Sequence, residues 1–459
     1  MQVAETQTTA PPNVTADARR PLAEAAAPAA PAAAPATPPR ASQLLVGEHF
    51  AAAILYLLAG AAGLVWIAPD LAAGMYLSPH VAGVTHLFTL GWLTLAILGA
   101  LNQLLPMALG APTYSVRLGH VAFWTLAPGI GVFAYGVAAT STRVLVPGVL
   151  LVGTGTLLAV INVAATLARA RTRDVTWSAI AVGTGYLGST LVLGLVLAHN
   201  LHSGYIAGAR VHVLAAHLHV ALVGWVLIVA VGVAHRLLPM FLVAPGARRR
   251  WTPWAVMLLA IGVSTLGVGI VTRWPAASWT GAVLIEAGFW AFLWQAYTIF
   301  RVRTRRTLDV GMRFALVGLV FLAIAAELGP VVLANGTGST RLATAYVVTG
   351  ILGGLVPFVM GFMYKILPSV VWISRFAGRL HRGWVPAVAD LYSTRLAQLQ
   401  LALIVAAVVV LLGGIAAAAP QLARAGALLF LTGVLVFVYQ TVRIRWGFPA
   451  APGSSPHVP

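Results

Sequence analysis

From Phe50 to Arg445 the chain alternates long apolar runs with short polar breaks. Twelve such runs can be drawn, over roughly 48–68, 81–105, 120–140, 145–167, 177–198, 212–238, 252–272, 279–300, 312–333, 342–368, 398–418 and 425–443. Each holds about 20 residues, enough to cross ~30 Å of hydrocarbon as a helix. None shows the two-residue alternation of a strand, and a chain crossing lipid must satisfy its backbone within each segment. The expected fold class is therefore all-α, a polytopic membrane protein of twelve transmembrane helices.

The runs also repeat. Residues 85–110 read THLFTLGWLTLAILGALNQLLPMALG, and 218–246 read LHVALVGWVLIVAVGVAHRLLPMFLVAPG. In both, a histidine (His86, His219) precedes a tryptophan (Trp92, Trp225) by six residues and a Leu-Leu-Pro proline (Pro106, Pro239) by twenty. A third copy keeps Pro368, with Gly354 at the tryptophan position and Val348 at the histidine position. Pro106, Pro239 and Pro368 thus recur at nearly equal intervals, once in every four spans. Three pseudo-repeated four-helix arcs are expected over residues 42–446. Residues 1–41, rich in Ala and Pro, are expected to be a disordered arm, and 447–459 a disordered tail.

Composition agrees with a bilayer as solvent: hydrophobic residues make up 60% of the chain, charged residues 8%, and the mean hydropathy is +0.91. The net charge of +18 raises the question of a nucleic-acid partner, and its distribution answers it. Loops after even-numbered spans hold Arg169, Arg171 and Arg173, then Arg248 to Arg250, then Arg301, Arg303, Arg305 and Arg306, then Arg375, Arg379 and Arg382. The opposite loops hold the single arginines Arg143, Arg210, Arg273, Arg341 and Arg424. This is the positive-inside bias, which predicts the inner membrane with both termini cytoplasmic. The partner is the lipid bilayer, and nucleic acid is not expected. The chain has no cysteine, which excludes iron–sulfur clusters, thiolate-ligated haem and covalent c-type attachment. A bound metal or haem would take imidazole ligands.

Ionisable residues at bilayer depth are functional candidates. His86, His217 and His219 fall in the outer third of spans 2 and 6, roughly 8–10 Å below that surface at 1.5 Å per residue. Residues two apart on a helix point about 200° away from each other, so His217 and His219 serve opposite sides of span 6. The repeat matches His219 to His86, and a cofactor between spans 2 and 6 taking one imidazole from each is expected. His217 is then expected to face a neighbouring cavity as a metal ligand with His212 or a carboxylate, or to act as a packing donor. His199, His202 and His212 are placed at the outer surface, and His49, His120 and His235 at the cytoplasmic rim, snorkelling. Glu286 and Glu327 are candidates for a proton path or for rim pairs with Arg273 or Arg341. Lys365 and Tyr364, with Arg236, Gln103, His235 and Asn102 at matched positions, form a polar row at the inner ends, either a vestibule or snorkelling side chains. Trp92 and Trp225 either cover a cofactor or pack, and Gly91, Gly224 and Gly353 before the tryptophan positions allow close helix approach.

Twelve spans in three arcs, with outer-third histidines in equivalent helices, resemble subunit I of the haem–copper oxidase superfamily. The segments at 86–106 and 219–239 look like those of cbb3-type and nitric-oxide-reductase-like members, and the NnrS-type haem and copper proteins are also similar. The resemblance implies haem b, and copper as a second candidate. It implies a ligand role for His86, electron transfer or nitric-oxide or dioxygen chemistry, and respiratory subunits or a cytochrome c or quinone donor as partners. Where such enzymes carry adjacent copper-ligating histidines in span 7, this chain has none; where they carry His-x-His in span 10, it has Val348 and Thr349 and no histidine. Full terminal oxidase activity is thus not expected. The readings from other classes are a membrane transporter, which the threefold repeat disfavours, and a cofactor-free scaffold of a respiratory complex.

Overall fold

The structure, a computed structural model, describes residues 40–379 and 385–447. The expected arm and tail lie outside the described residues, apart from residues 40, 41 and 447, and so does Arg382. Among the described residues, twelve helices are long and apolar enough to cross a membrane. They are α1 (Ser42–Ala72), α2 (Pro79–Leu109), α3 (Val116–Ala138), α4 (Thr142–Ala168), α5 (Val175–Leu201) and α6 (Arg210–Leu242) in the first half. The second half holds α7 (Thr252–Thr272), α8 (Pro275–Arg301), α9 (Val310–Asn335), α10 (Thr340–Arg375), α11 (Thr394–Ala416) and α12 (Pro420–Trp446). Every apolar run is one helix, and the helices overrun the predicted spans mostly by a turn or less.

The threefold repeat runs through the packing. The tight hairpins are α3–α4, α7–α8 and α11–α12, and α2, α6 and α10 form the inner helices between them. Each inner helix breaks from α- to π-helical hydrogen bonding at the same register, over Leu87–Thr94, Val220–Leu227 and Thr349–Leu355. Each widened stretch begins on the residue after His86, His219 or Val348. The glycine of each stretch receives an aromatic ring from the helix before it. A Cβ on Gly91 would meet Tyr56 at 2.5 Å, one on Gly224 would meet Tyr186 at 2.7 Å, and one on Gly353 would meet Phe321 at 2.7 Å. Only glycine lets the helices come that close.

Two of those aromatic rings also latch onto the next hairpin. Tyr56 donates its hydroxyl to the Ala127 carbonyl at 2.5 Å and accepts from the Gly131 amide at 3.1 Å. Tyr186 donates to the Ala260 carbonyl at 2.6 Å, with Ser264 Oγ also at 2.6 Å. The interval from Ala127 to Ala260, and from Gly131 to Ser264, equals that from Pro106 to Pro239, so this is one device used twice.

At the opposite end of each hairpin a buried amide side chain holds the loop. Asn162 Oδ1 accepts from the Ser115 amide, Gln295 Oε1 from the Trp251 amide and Gln440 Oε1 from the Ser393 amide. In lipid an unpaired backbone donor is costly, and these amides supply the partner. Side-chain caps on Ser115, Asp174, Asp309 and Ser393 start α3, α5, α9 and α11. Pro106 and Pro239 lie inside α2 and α6, three residues before their ends, and each helix ends at a residue in the left-handed region, Gly110 and Val243.

Candidate functional site

A cavity of about 680 Å³ opens in the half of the bundle away from the arginine-rich loops. Its walls come from the N-terminal halves of α2, α4, α6, α8 and α10 and from the C-terminal parts of α1, α3, α5, α7 and α9. The volume is that of a small-molecule or cofactor site, and the lining is mainly apolar. His86, His212, His217, His219 and Glu286 all contribute to it. The cavity extends to both sides of α6, towards α2–α5 on one side and α7–α10 on the other.

His86 and His219 are held in the same way. Nδ1 of His86 lies 2.7 Å from the Ala82 carbonyl, and Nδ1 of His219 lies 2.8 Å from that of Ala215, each four residues back. A carbonyl only accepts, so both rings carry the proton on Nδ1 and direct the Nε2 lone pair outward. This is the arrangement by which a second partner fixes the tautomer of a ligating imidazole. The two differ at Nε2. For His86 no group among the described residues bonds it, and the ring packs edge-on to Phe133 at 5.0 Å. For His219, Nε2 accepts the Tyr346 hydroxyl at 3.1 Å, and the two rings stack at 6.0 Å.

His217 takes the opposite side of α6 and lies beside α5. Its Cε1 stands 3.3 Å from where a Cβ on Gly194 would be, so that glycine makes room for the ring. The His217 ring lies against the Thr190 backbone, and its Nδ1 is buried without a side-chain partner; the hydroxyls of Thr156 and Thr190 on the same side of the cavity are buried without partners. The two-residue spacing does send the two histidines to different sides of α6, His217 towards Gly194 of α5 and His219 towards Tyr346 of α10.

The remaining candidates separate by place. His212 lines the cavity in the first turn of α6, with Nδ1 buried and unpartnered. The side chain of His202 lies outside the described residues. Glu286 faces the cavity with Oε1 buried and unpartnered, whereas Glu327 is exposed on α9. Neither pairs with Arg273 or Arg341 among the described residues; Arg273 lines the cavity and donates to the Gly208 carbonyl at 2.6 Å.

Lys365 and Tyr364 lie at the other end of α10, away from the cavity. Lys365 pairs with Asp309, and Arg236, its repeat equivalent, pairs with Asp174 at 2.6 Å. Tyr364 donates to Gln400 at 2.5 Å. These groups are tied between helices rather than snorkelling. His49 is likewise buried, 4% exposed, with Nδ1 on the Leu45 carbonyl, and is not at the rim in water. His120 meets Glu48 at 2.8 Å and His235 meets Thr252 at 2.8 Å. Trp92 and Trp225 are core residues, 0% and 2% exposed, and Trp225 donates to Thr94 Oγ1 across the α2–α6 contact.

Two residues escaped sequence reasoning: Tyr346, and Thr190 beside His217. Tyr346 had a signal, since it follows His217 by the interval that separates Pro239 from Pro368 and so falls beneath it in the repeat. Thr190 had none.

No protein-family model matches the chain, and no curated protein matches it either. Among solved structures it is similar to a haem–copper terminal oxidase dimer determined by cryo-EM, with a TM-score of 0.68 at 12% sequence identity. The likeness covers 90% of this chain and 85% of that one. The chain therefore has a haem–copper-oxidase-like membrane fold.

Proposed function

We propose that the protein binds a b-type haem in this cavity with His86 as an axial ligand, and works in electron transfer or in nitric-oxide or dioxygen chemistry. The observation that carries the reading is the His86 ring, whose Nδ1–H is spent on Ala82 while Nε2 faces the cavity unpartnered. The donor set suits haem iron, which takes neutral imidazole and needs an apolar surround. It suits a copper ion less, because among the described residues no three His, Asp or Glu side chains gather as a metal-ion site. When bound, the haem supplies one-electron chemistry at iron.

The residues of the chain then hold and shield it. Ala82 fixes the tautomer of His86, Phe133 packs against the edge of its ring, and the apolar walls limit water around the iron. Cytochrome c, a quinone or a neighbouring respiratory subunit would deliver the electron, with the chain in the inner membrane and both termini cytoplasmic.

The test is a dithionite-reduced minus oxidised spectrum of the purified protein, with iron and copper measured on the same sample. A haem α-band with stoichiometric iron is expected. His86→Ala should lose or shift that band, while His120→Ala, on the far side of the bundle, should leave it in place. A featureless spectrum without iron would overturn the reading and leave a carrier or a scaffold.

A further inference from the structure

The three arcs can be compared position by position where they meet. The histidine position of one arc faces the position two residues earlier in the next. His219 of α6 faces Tyr346 of α10, as the 3.1 Å hydrogen bond records. Carried around the repeat, the same relation would set His86 of α2 against His217 of α6, and Val348 of α10 against Val84 of α2. Val84 and Val348 are both buried apolar residues. Of the three meetings, only that of α2 with α6 presents two imidazoles.

The surroundings of that meeting point the same way. His86 and His217 line one cavity. Nε2 of His86 has no partner among the described residues, and Nδ1 of His217, beside the Thr190 backbone, is buried without a side-chain partner. Thr156 and Thr190 turn buried, unpartnered hydroxyls to the same side. Buried polar atoms without partners are rare in a folded protein, and several lining one space point to a ligand that satisfies them. Gly194 clears the space that the His217 ring needs. His219 lacks this freedom, since Tyr346 occupies its Nε2.

We infer that the haem lies between the first and second arcs with His86 and His217 as its axial pair, and that His219 with Tyr346 forms a separate hydrogen-bonded pair across α6. This rests on the proposal that the chain binds haem.

Electron paramagnetic resonance and carbon monoxide binding on the haem-loaded protein in detergent decide it. The wild type should show a low-spin ferric signal and, when reduced, should not bind carbon monoxide. His217→Ala should become high-spin and bind carbon monoxide, and added imidazole should restore the low-spin signal. His217→Met, which keeps a side chain able to ligate iron, should stay low-spin with a shifted signal and a raised potential. It decides the matter if the alanine variant does not fold. His219→Ala and Tyr346→Phe should leave the signal where it is. If His219→Ala opens the site while the His217 variants match the wild type, the inference is overturned and the haem proposal stands. If the wild type holds no haem, the haem proposal itself fails.

Discussion

Gly91 and Gly224 matter for what they leave out. A methyl group at 224 would sit 2.7 Å from the Tyr186 ring, and one at 91 would sit 2.5 Å from Tyr56. Gly224→Ala should therefore cost about 1–3 kcal/mol, as overpacking does, while Gly185→Ala, with nothing within 4 Å, should not destabilise. Thermal melts in detergent compare the two, and equal midpoints would contradict the packing described. A second prediction concerns Asp174, which caps α5 and pairs with Arg236. Burial pushes its carboxyl up, but hydrogen bonds from the Trp177 amide and from Arg236, with the Arg236 charge, outweigh this, and the net shift is downward. A carboxylate whose folded pKa is depressed stabilises the protein above its unfolded value of about 3.9. That contribution fades as pH falls below this value through the folded pKa. Asp174→Asn should flatten the acid side of the stability profile below about pH 4, and an unchanged acid slope would count against the pair.

Among the elements, the hairpins were legible and their fastenings were not. Apolar runs long enough to cross the hydrocarbon, broken by arginine-rich loops, define a helix whatever their detailed sequence, so all twelve spans could be drawn. Nothing in the isolated residues Asn162, Gln295 and Gln440 marks them as clamps, because the groups they hold lie 47, 44 and 47 residues away in the chain. Only folding brings the amide to the loop. Gln295→Ala would leave the half-buried Trp251 amide without its partner and should cost about 1 kcal/mol, read as a lower melting midpoint. A variant as stable as the wild type would mean that lipid headgroups or water replace the clamp. The candidate site was legible to a similar extent. The depth of His86, His217 and His219 followed from the spans, and their opposed directions on α6 followed from helix geometry.

For the molecule as a whole, the segregation of charge sets a direction. The arginine-rich loops lie at one end of the bundle and the cavity in the half nearer the other. Reporter fusions test the orientation: a fluorescent protein at either terminus should fold and glow, while alkaline phosphatase there should be silent. The reverse pattern would invert the topology and place the cavity nearer the cytoplasm. The three arcs have also diverged in chemistry while keeping one geometry: the histidine position holds His86, His219 and Val348, and the tryptophan position Trp92, Trp225 and Gly354. The π-helical stretch is common to all three and survives in α10, where neither the histidine nor the tryptophan remains. It therefore belongs to the architecture and was not added for a ligand. One extra residue in a helix turns everything beyond it by about 100°. A helical wheel drawn straight through any inner helix thus misplaces one end relative to the other. If the three arcs descend from one copied unit, that insertion is older than the copying, and the imidazoles are the part of the site that has since been free to change.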